Sequence, residues 1–386
     1  MTGAAAHPFL LDALRDRDSD EWPDPGSEWP CVLDAARSQG VIQLLYARLR
    51  RSDERSRRAG PWLEALRRES FRVAARSLEL SVELADLLAA FEAAAAPCVP
   101  LRGPALAERL YGERTARPMG DLDLLVRRAD IPRVRDLLIP RGYRELDRRR
   151  GFAERYSYTL EFYRERRPAV VVEPHWTIAY PPAAARLGMD SVWARCVAGS
   201  VLGITSRSLC AADLLLNLCL HLIHADRAAP LLWHYEIDRL IRREADALDW
   251  AVFVETVRQA GVESSVSIAL VRVTELFDTP LPGHVQRRLG AGSGAPAFTQ
   301  RVAETSVDGR ESLALLFDLG GPRAKLRYAL AILFPAPDFM RVHCGLSGAR
   351  RLGLAYLGRL CRFTVEAMKG FLLAGRQLAG HAGRRR

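Results

Sequence analysis

The sequence predicts an α+β protein in which a small mixed β-sheet lies between two helical regions. Short apolar runs rich in β-branched and aromatic residues, which are typical of strands, are confined to residues 97–180. On both sides of this segment, apolar residues recur at helical spacing in long stretches rich in alanine and leucine. We therefore divide the chain into a mostly helical region over residues 1–95, an α/β core over 96–205 and a helical region over 206–386.

Turn-forming and helix-breaking residues mark the bounds of the individual strands and helices. Strands are predicted over 98–101, 122–126, 143–148, 156–163 and 169–175, the last two joined as a hairpin by a charged turn. A helix over 131–141 has Gly142 as its C-cap, and Pro97 marks the end of a helix over 71–96. Residues 1–30 are predicted to be an irregular arm with one short helix. After the core, helices are predicted over 209–224, 230–245, 249–260, 264–277, 298–306, 311–333 and 351–379.

Composition limits the class of protein and its partners. The 386 residues include 56 Lys and Arg against 46 Asp and Glu, a formal charge of +10 that favours phosphate-bearing partners such as nucleotides, RNA or an anionic membrane face. No apolar run is long enough for a transmembrane segment, and residues 1–20 lack the apolar stretch of a secretion signal. Seven cysteines are scattered singly, which is typical of free thiols in a reducing cytoplasm. We therefore expect a cytoplasmic protein.

The pair Asp121 and Asp123, which runs into an apolar strand, is the most informative feature of the chain. On a strand, residues two apart point to the same side, so both carboxylates would enter one cleft while Leu122 and Leu124 face a core. Converging carboxylates raise each other's pKa unless they share a cation, and Mg²⁺ with substrate phosphates is the usual occupant. Surface acidic turns also contain Asp-x-Asp, so the pair alone leaves both interpretations open.

Four flanking elements favour the metal-binding interpretation. Arg102-Gly103 and Tyr111 precede the pair, Arg117-Pro118-Met119-Gly120 leads directly into it, and Glu173-Pro174-His175-Trp176 ends a later β-branched run. This order resembles the polymerase-β-like nucleotidyltransferase superfamily, and within it a family of uncharacterised bacterial nucleotidyltransferases. The resemblance is close over residues 95–180 and looser over a helical tail.

The resemblance implies a site and a reaction. Asp121, Asp123 and Glu173 would be catalytic and would bind Mg²⁺, with Mn²⁺ as a substitute, and Glu173 would orient or deprotonate the attacking hydroxyl. The residues implied in binding a nucleoside triphosphate such as ATP are Arg102, Gly103, Arg117, Gly120 and His175. The reaction would move a nucleoside monophosphate to an acceptor hydroxyl and release pyrophosphate. The acceptor, whether small molecule, protein or RNA, is not specified.

Two departures from the family pattern keep alternatives open. Arg102 stands where the family mostly has lysine, which replaces a point charge by a planar fork. Pro104 stands where the superfamily has serine or glycine, so a backbone N–H that would hold phosphate is missing. Pro104 is the best support for one alternative, a catalytically silent nucleotide-binding module. The basic charge of the chain supports the other, a toxin-like or tRNA-directed version of the same chemistry.

Other polar residues have two or three interpretations each. His221 and His224 share a helix face and could bind zinc with Asp226, His234 or Asp238, pack against polar partners, or line the nucleotide or acceptor cleft, which the resemblance favours. Tyr111 and Trp176 are predicted to pack. Basic clusters at 148–150 and 164–167 are solvated loop charge or a track for RNA. The motifs of rival phosphate chemistries, the P-loop and the kinase catalytic loop, are absent from the sequence.

Overall fold

Five helices precede the sheet in the described part of the chain. The computed structural model describes residues 7–17, 22–24, 27–146, 151–166, 169–181, 183–224 and 229–291, and parts of 316–369. The helices are α1 (Pro8–Leu14), α2 (Trp29–Ser38), α3 (Ile42–Leu49), α4 (Asp53–Ala59) and α5 (Pro61–Ala93). The last begins ten residues earlier than predicted, because Gly60 turns the chain at a φ of +52° and Pro61 suits a first helical turn. Its 33 residues extend about 50 Å.

A five-stranded mixed sheet follows, in the order β1-β2-β5-β4-β3. Its strands are β1 (Cys98–Pro100), β2 (Leu122–Val126), β3 (Arg144–Glu145), β4 (Phe162–Arg164) and β5 (Val170–His175). The central pair β2 and β5 runs parallel, and the other neighbours are antiparallel. The α+β class is thereby confirmed, as is the hairpin between β4 and β5. Helix α6 (Gly103–Tyr111) connects β1 to β2, and α7 (Ile131–Leu138) and α8 (Phe152–Tyr156) lie between β2 and β5 in sequence.

The two faces of the sheet pack against different partners. Leu122, Leu124 and Val126 join one apolar cluster with buried leucines of α5, as the alternation along β2 predicts. Leu125, on the same face as Asp123, belongs to a second cluster that includes α1–α3 and the helices after the sheet. Asp123 therefore lies between the sheet and the helical tail. Trp176 belongs to the first cluster, in agreement with its predicted packing role.

The helical tail follows a two-stranded hairpin that the sequence did not predict. The hairpin consists of β6 (Val197–Val201) and β7 (Ile204–Ser208), which packs against α5 and β1. Helix α9 (Met189–Arg195) precedes the hairpin. The tail helices are α10 (Ala211–His224), α11 (Leu231–Arg243), α12 (Trp250–Ala260), α13 (Glu263–Phe277), α14 (Gly283–Ala291) and α15 (Pro322–Leu333), and residues 351–365 are also helical. Helices α9 and α14 were not predicted. Within the described residues, every helix is too short or too polar to cross a membrane.

Two predicted strands are wrong in extent. Of the segment 156–163, only Phe162 and Tyr163 belong to a strand, β4. Tyr156 instead ends helix α8, where its ring packs on Phe152 and Tyr328. Alternating aromatic residues have a strand-like composition, but here tertiary packing decides the conformation. The segment 143–148 is a strand only over Arg144–Glu145. The helix predicted over 131–141 is α7 followed by a 3₁₀ turn, and Gly142 ends it at a φ of +85° as expected.

Several predictions concern residues outside the described part of the chain. They are the basic cluster 148–150, Arg167, Asp226, Cys344, the helix over 298–306 and the ends of those over 311–333 and 351–379. The other six cysteines are free thiols, of which Cys98, Cys196 and Cys219 are buried. The division into three regions stays a prediction, and the second apolar cluster has members in all three.

A buried carboxylate holds the far edge of the sheet to α5, and this gives a stability prediction. Glu83 accepts hydrogen bonds from the Tyr143 hydroxyl at 2.6 Å and from Arg164. Glu83→Ala would leave the buried hydroxyl and the guanidinium without that partner, so we expect the free energy of unfolding to fall by about 2–3 kcal/mol. Urea denaturation measures this loss. Glu79→Ala, one turn earlier on α5 in a more exposed pair with Arg76, should change it by less than about 0.5 kcal/mol.

Candidate active site

The parallel register of β2 and β5 sets Asp123 directly opposite Glu173. His175, two residues after Glu173 on the same strand face, reaches both acids: its Nε2 lies 3.0 Å from Asp123 Oδ1 and 3.7 Å from Glu173 Oε2. Ligand atoms of these three residues all lie within 4.8 Å of one another. This is the one group of three metal-ligating side chains in the part of the chain that the structure describes.

Arg102 supplies the positive charge of this cluster. It ends the loop between β1 and α6, and its guanidinium grips Asp123 with two bonds, Nε to Oδ2 at 2.9 Å and Nη2 to Oδ1 at 2.8 Å. Both side chains are buried. The next residue, Gly103, starts α6 at a φ of +64°, a conformation that favours glycine. Pro104 lies in the first turn of α6, where a backbone N–H has no partner within the helix.

The pKa values of Asp123 and Glu173 are shifted in opposite directions. Burial alone would raise the pKa of Asp123, but Arg102 and His175 outweigh it and hold that pKa well below its usual range. Burial, followed by the charges of Asp123 and Asp121, raises the pKa of Glu173 to about 8. Three acids with one close arginine therefore form an acidic site in which a further cation would stabilise the ionised form of Glu173. Carboxylate oxygens are the ligands that hard divalent ions such as Mg²⁺ prefer.

Asp121 and Gly120 lie just outside the strand. Asp121 precedes the first residue of β2 and is half-buried, and its pKa is raised by burial and by the charge of Asp123. It is close enough to Arg102 and His175 for their charges to act on it as well. Gly120 is exposed, with open space where a Cβ would stand. The assignment of both residues to the site remains a prediction from the sequence.

Arg117 has a partner that the sequence does not indicate. Its Nε donates to Glu236 Oε1 of α11 at 2.6 Å, and the two side chains are almost fully buried. Its backbone carbonyl accepts a hydrogen bond from Ser77 of α5. We expected the guanidinium to lie free above the carboxylates. It is instead part of a buried ion pair that joins the loop before β2 to the helical tail, although it is near enough to lower the pKa of Asp121.

The helical tail places aromatic and imidazole rings beside the carboxylates. The Tyr180 hydroxyl lies 3.0 Å from His221 Nδ1, and the His224 ring stacks on Tyr180 at a centroid distance of 3.8 Å. Burial and the nearby charge of Arg102 lower the pKa of His221, which keeps its imidazole neutral. The ring of Tyr158 completes this group beside His175, 5.7 Å from its centroid. These contacts favour the cleft-lining role of the two histidines.

The other roles considered for these residues are not supported by the described contacts. Neither His234 nor Asp238 joins His221 and His224 in a metal-ligating group of the described residues. Asp238 instead accepts hydrogen bonds from Arg242 and Thr279. Sequence reasoning missed Tyr158 and Tyr180 as neighbours of the site. The only signal for them was that both are tyrosines on segments flanking the Glu173 strand.

The raised pKa of Glu173 predicts that its replacement by glutamine increases thermal stability by an amount that depends on pH. An acid whose pKa is raised on folding stabilises the fold at low pH, and this stability is lost as the pH rises towards about 8. Glu173→Gln should therefore raise Tm, measured with a metal chelator present, by at least about 2 °C more at about pH 8.5 than at about pH 5. Glu165→Gln, in the exposed turn before β5, should change Tm by the same amount at the two pH values. If Glu173→Gln raised Tm equally at the two pH values, the buried and acidic environment assigned to Glu173 would be wrong.

The Arg117–Glu236 pair gives a second prediction. Arg117→Ala leaves a buried carboxylate without its partner, and we expect the free energy of unfolding in urea to fall by about 3–5 kcal/mol. Arg117→Met combined with Glu236→Leu should recover most of that loss, since no buried charge is then left alone. Arg114→Ala, which removes an exposed arginine 3.9 Å from Glu108, is the control and should be nearly neutral. A neutral Arg117→Ala would show that the pair is not formed.

Comparison with protein families agrees with this geometry. A family described as "Uncharacterised nucleotidyltransferase" matches residues 25–278, a span that contains the whole carboxylate cluster, Arg102, Arg117 and the first helices of the tail. Neither the curated proteins nor the solved structures gave a match. Because the match covers most of the chain, the protein belongs to this family of nucleotidyltransferases, enzymes that transfer a nucleoside monophosphate group.

Proposed function

We propose that the protein is a Mg²⁺-dependent enzyme that moves a nucleoside monophosphate from a nucleoside triphosphate to an acceptor hydroxyl. The observation that carries the proposal is the register of β2 and β5, which sets Asp123 opposite Glu173 with His175 beside them. In the reaction, a bond forms between the acceptor oxygen and the α-phosphorus. The bond from that phosphorus to the bridging oxygen breaks, and pyrophosphate leaves.

The acids would hold the metal and the acceptor. Asp121, Asp123 and Glu173 are the proposed ligands, and Mg²⁺ would supply positive charge beside the triphosphate. Glu173, whose pKa is raised to about 8 without a cation, would be ionised by the bound metal and would then orient the acceptor hydroxyl and take its proton. His175 fixes the orientation of Asp123 through its 3.0 Å contact.

Arginine side chains would bind the triphosphate. Arg102 uses Nε and Nη2 on Asp123, and its buried Nη1 has no hydrogen-bond partner within the described residues. A phosphate oxygen would satisfy that donor, and charge-assisted bonds of this kind are the strong ones. Gly103 and Gly120 would leave room for the phosphates, and Arg117, although paired with Glu236, would add positive potential. This arrangement suits a loop in which Pro104 lacks a backbone N–H.

The RNA-directed alternative has little support in the described residues. Arg164 and Arg166 of one basic cluster form ion pairs with Glu83. Their charges therefore stabilise the contact between the sheet and α5. A catalytically silent module would bind the nucleotide without transferring it, so an assay of nucleotide transfer separates it from the enzyme.

Incubation of the full chain with each of the four nucleoside triphosphates, labelled at the α-phosphate, tests the proposal. With Mg²⁺ and a cell extract as the source of acceptors, we expect label to appear in a product and pyrophosphate to be released. Asp123→Asn should reduce transfer by at least about 100-fold, as loss of a charge-stabilising group does, and Glu165→Gln should leave it unchanged. Binding without turnover would identify a silent module, and no binding of any nucleotide would contradict both.

Metal binding is predicted separately. Because a divalent cation relieves the repulsion among the acids, Mg²⁺ or Mn²⁺ should raise the Tm of the wild-type chain. The combined variant Asp121→Asn with Asp123→Asn should lose that response, with an unchanged circular dichroism spectrum as evidence of folding. A variant that metal stabilises as strongly as the wild type would exclude these two acids as ligands.

A further inference from the structure

A second concave site lies at the opposite end of helix α6 from the carboxylates. Helices α1, α3, α11 and α13 and the last residue of α6, Tyr111, enclose a cleft of about 560 Å³. Helix α6 starts beside Arg102 and has nine residues, so its two ends are about 13 Å apart. The cleft has the volume of a small-molecule site and shares no residue with the cluster formed by Asp123, Glu173 and His175.

The charge of the cleft is positive. Its walls carry six arginines and four acids. Three of the acids are already paired with arginines of the same cleft: Asp16 with Arg48, Asp278 with Arg17 and Asp238 with Arg242. The fourth, Glu113, accepts a hydrogen bond from Thr115. Two positive charges are therefore in excess on the walls of this one cleft.

Arg239 is the residue that most clearly lacks a partner. It lies half-buried on α11, and no ion pair to it is found within the described residues. Its buried Nε has no hydrogen-bond partner there, and the same is true of Arg48 Nη2 and of the Tyr111 hydroxyl. Buried donors are nearly always satisfied in folded proteins. Three unsatisfied donors in the wall of one positive cleft indicate a ligand that brings acceptor oxygens.

Aromatic rings define the rest of the ligand. Tyr111 and Tyr235 stack with centroids 6.4 Å apart and planes 14° from parallel, and both line the cleft together with Phe277. Arginines beside flat aromatic rings suit a molecule that has a planar group and an anionic group. We propose that this cleft binds a phosphate monoester that carries a planar ring, the chemistry of a nucleoside monophosphate, at a site separate from the carboxylate cluster. The proposal does not depend on the proposed function.

Calorimetric titration of the full chain with AMP, in a metal chelator, tests the proposal. The chelator removes divalent ions from the carboxylates, so binding there is suppressed while binding in the cleft persists. We expect saturable binding to the wild type, weaker by at least about tenfold for Arg239→Gln because a charge-assisted bond to phosphate is lost. Asp123→Asn and Arg258→Gln should bind as the wild type does, the latter because it removes an exposed arginine of α12 outside the cleft.

Two further probes separate the parts of the ligand. Inorganic phosphate should bind at least about tenfold more weakly than AMP, and adenosine more weakly still, if ring and phosphate both contribute. AMP should raise the Tm of the wild type but not that of Arg239→Gln, whose own Tm should equal or exceed the wild-type value because an unpaired charge has gone. The proposal is overturned if AMP does not bind, if phosphate binds as tightly as AMP, or if Asp123→Asn abolishes binding while Arg239→Gln keeps it.

Discussion

The bidentate contact between Arg102 and Asp123 is the interaction on which the site depends. Parallel pairing of β2 with β5 brings Asp123 and Glu173 into one small volume, and two ionised carboxylates there would repel each other. Arg102 offsets that repulsion most strongly at Asp123, whose pKa it helps to hold well below its usual range. The protein thus keeps one acid firmly ionised and one acid close to its titration point, with the pKa of Glu173 raised to about 8. The raised pKa of Glu173 comes from its burial and from the charges of Asp123 and Asp121, and the charge of Arg102 acts against it.

The helical tail closes this site from one side and is joined to it by buried polar contacts. Glu236 of α11 holds Arg117 at 2.6 Å, and Tyr180 connects to His221 and His224 of α10. Because unpaired buried charge lowers stability by several kcal/mol, the Arg117–Glu236 pair resists separation of the sheet from the tail. The same helix α11 carries Arg239 into the second cleft. One helix therefore contacts both concave regions.

The sequence predicts features whose residues lie close together along the chain, and it misses contacts between residues that are far apart in sequence. Residues 122–126 and 169–175 could be assigned because alternation along a strand is local, whereas the meeting of Glu173 with Asp123 was implied only by the family resemblance. Arg117 and Glu236 are 119 positions apart, and no short pattern indicates that pair. Tyr156 was assigned to a strand because aromatic residues favour strands, whereas its packing on Tyr328 fixes a helix end. The hairpin β6–β7 has a weak strand composition, and only its Leu202-Gly203 turn marks it.

Arginine at position 102 and proline at position 104 are explained together by this geometry. A lysine has one charged nitrogen, and if it bound Asp123 it could not hold both carboxylate oxygens in a planar fork. Arg102 binds both through Nε and Nη2 and still has Nη1 to offer. Pro104 deprives the first turn of α6 of one backbone donor, although it costs the helix nothing at that position. The donor that the backbone lacks is thus available on the side chain two residues earlier, so the proposed phosphate binding at this loop would depend on a guanidinium group that Asp123, a proposed metal ligand, already fixes in place.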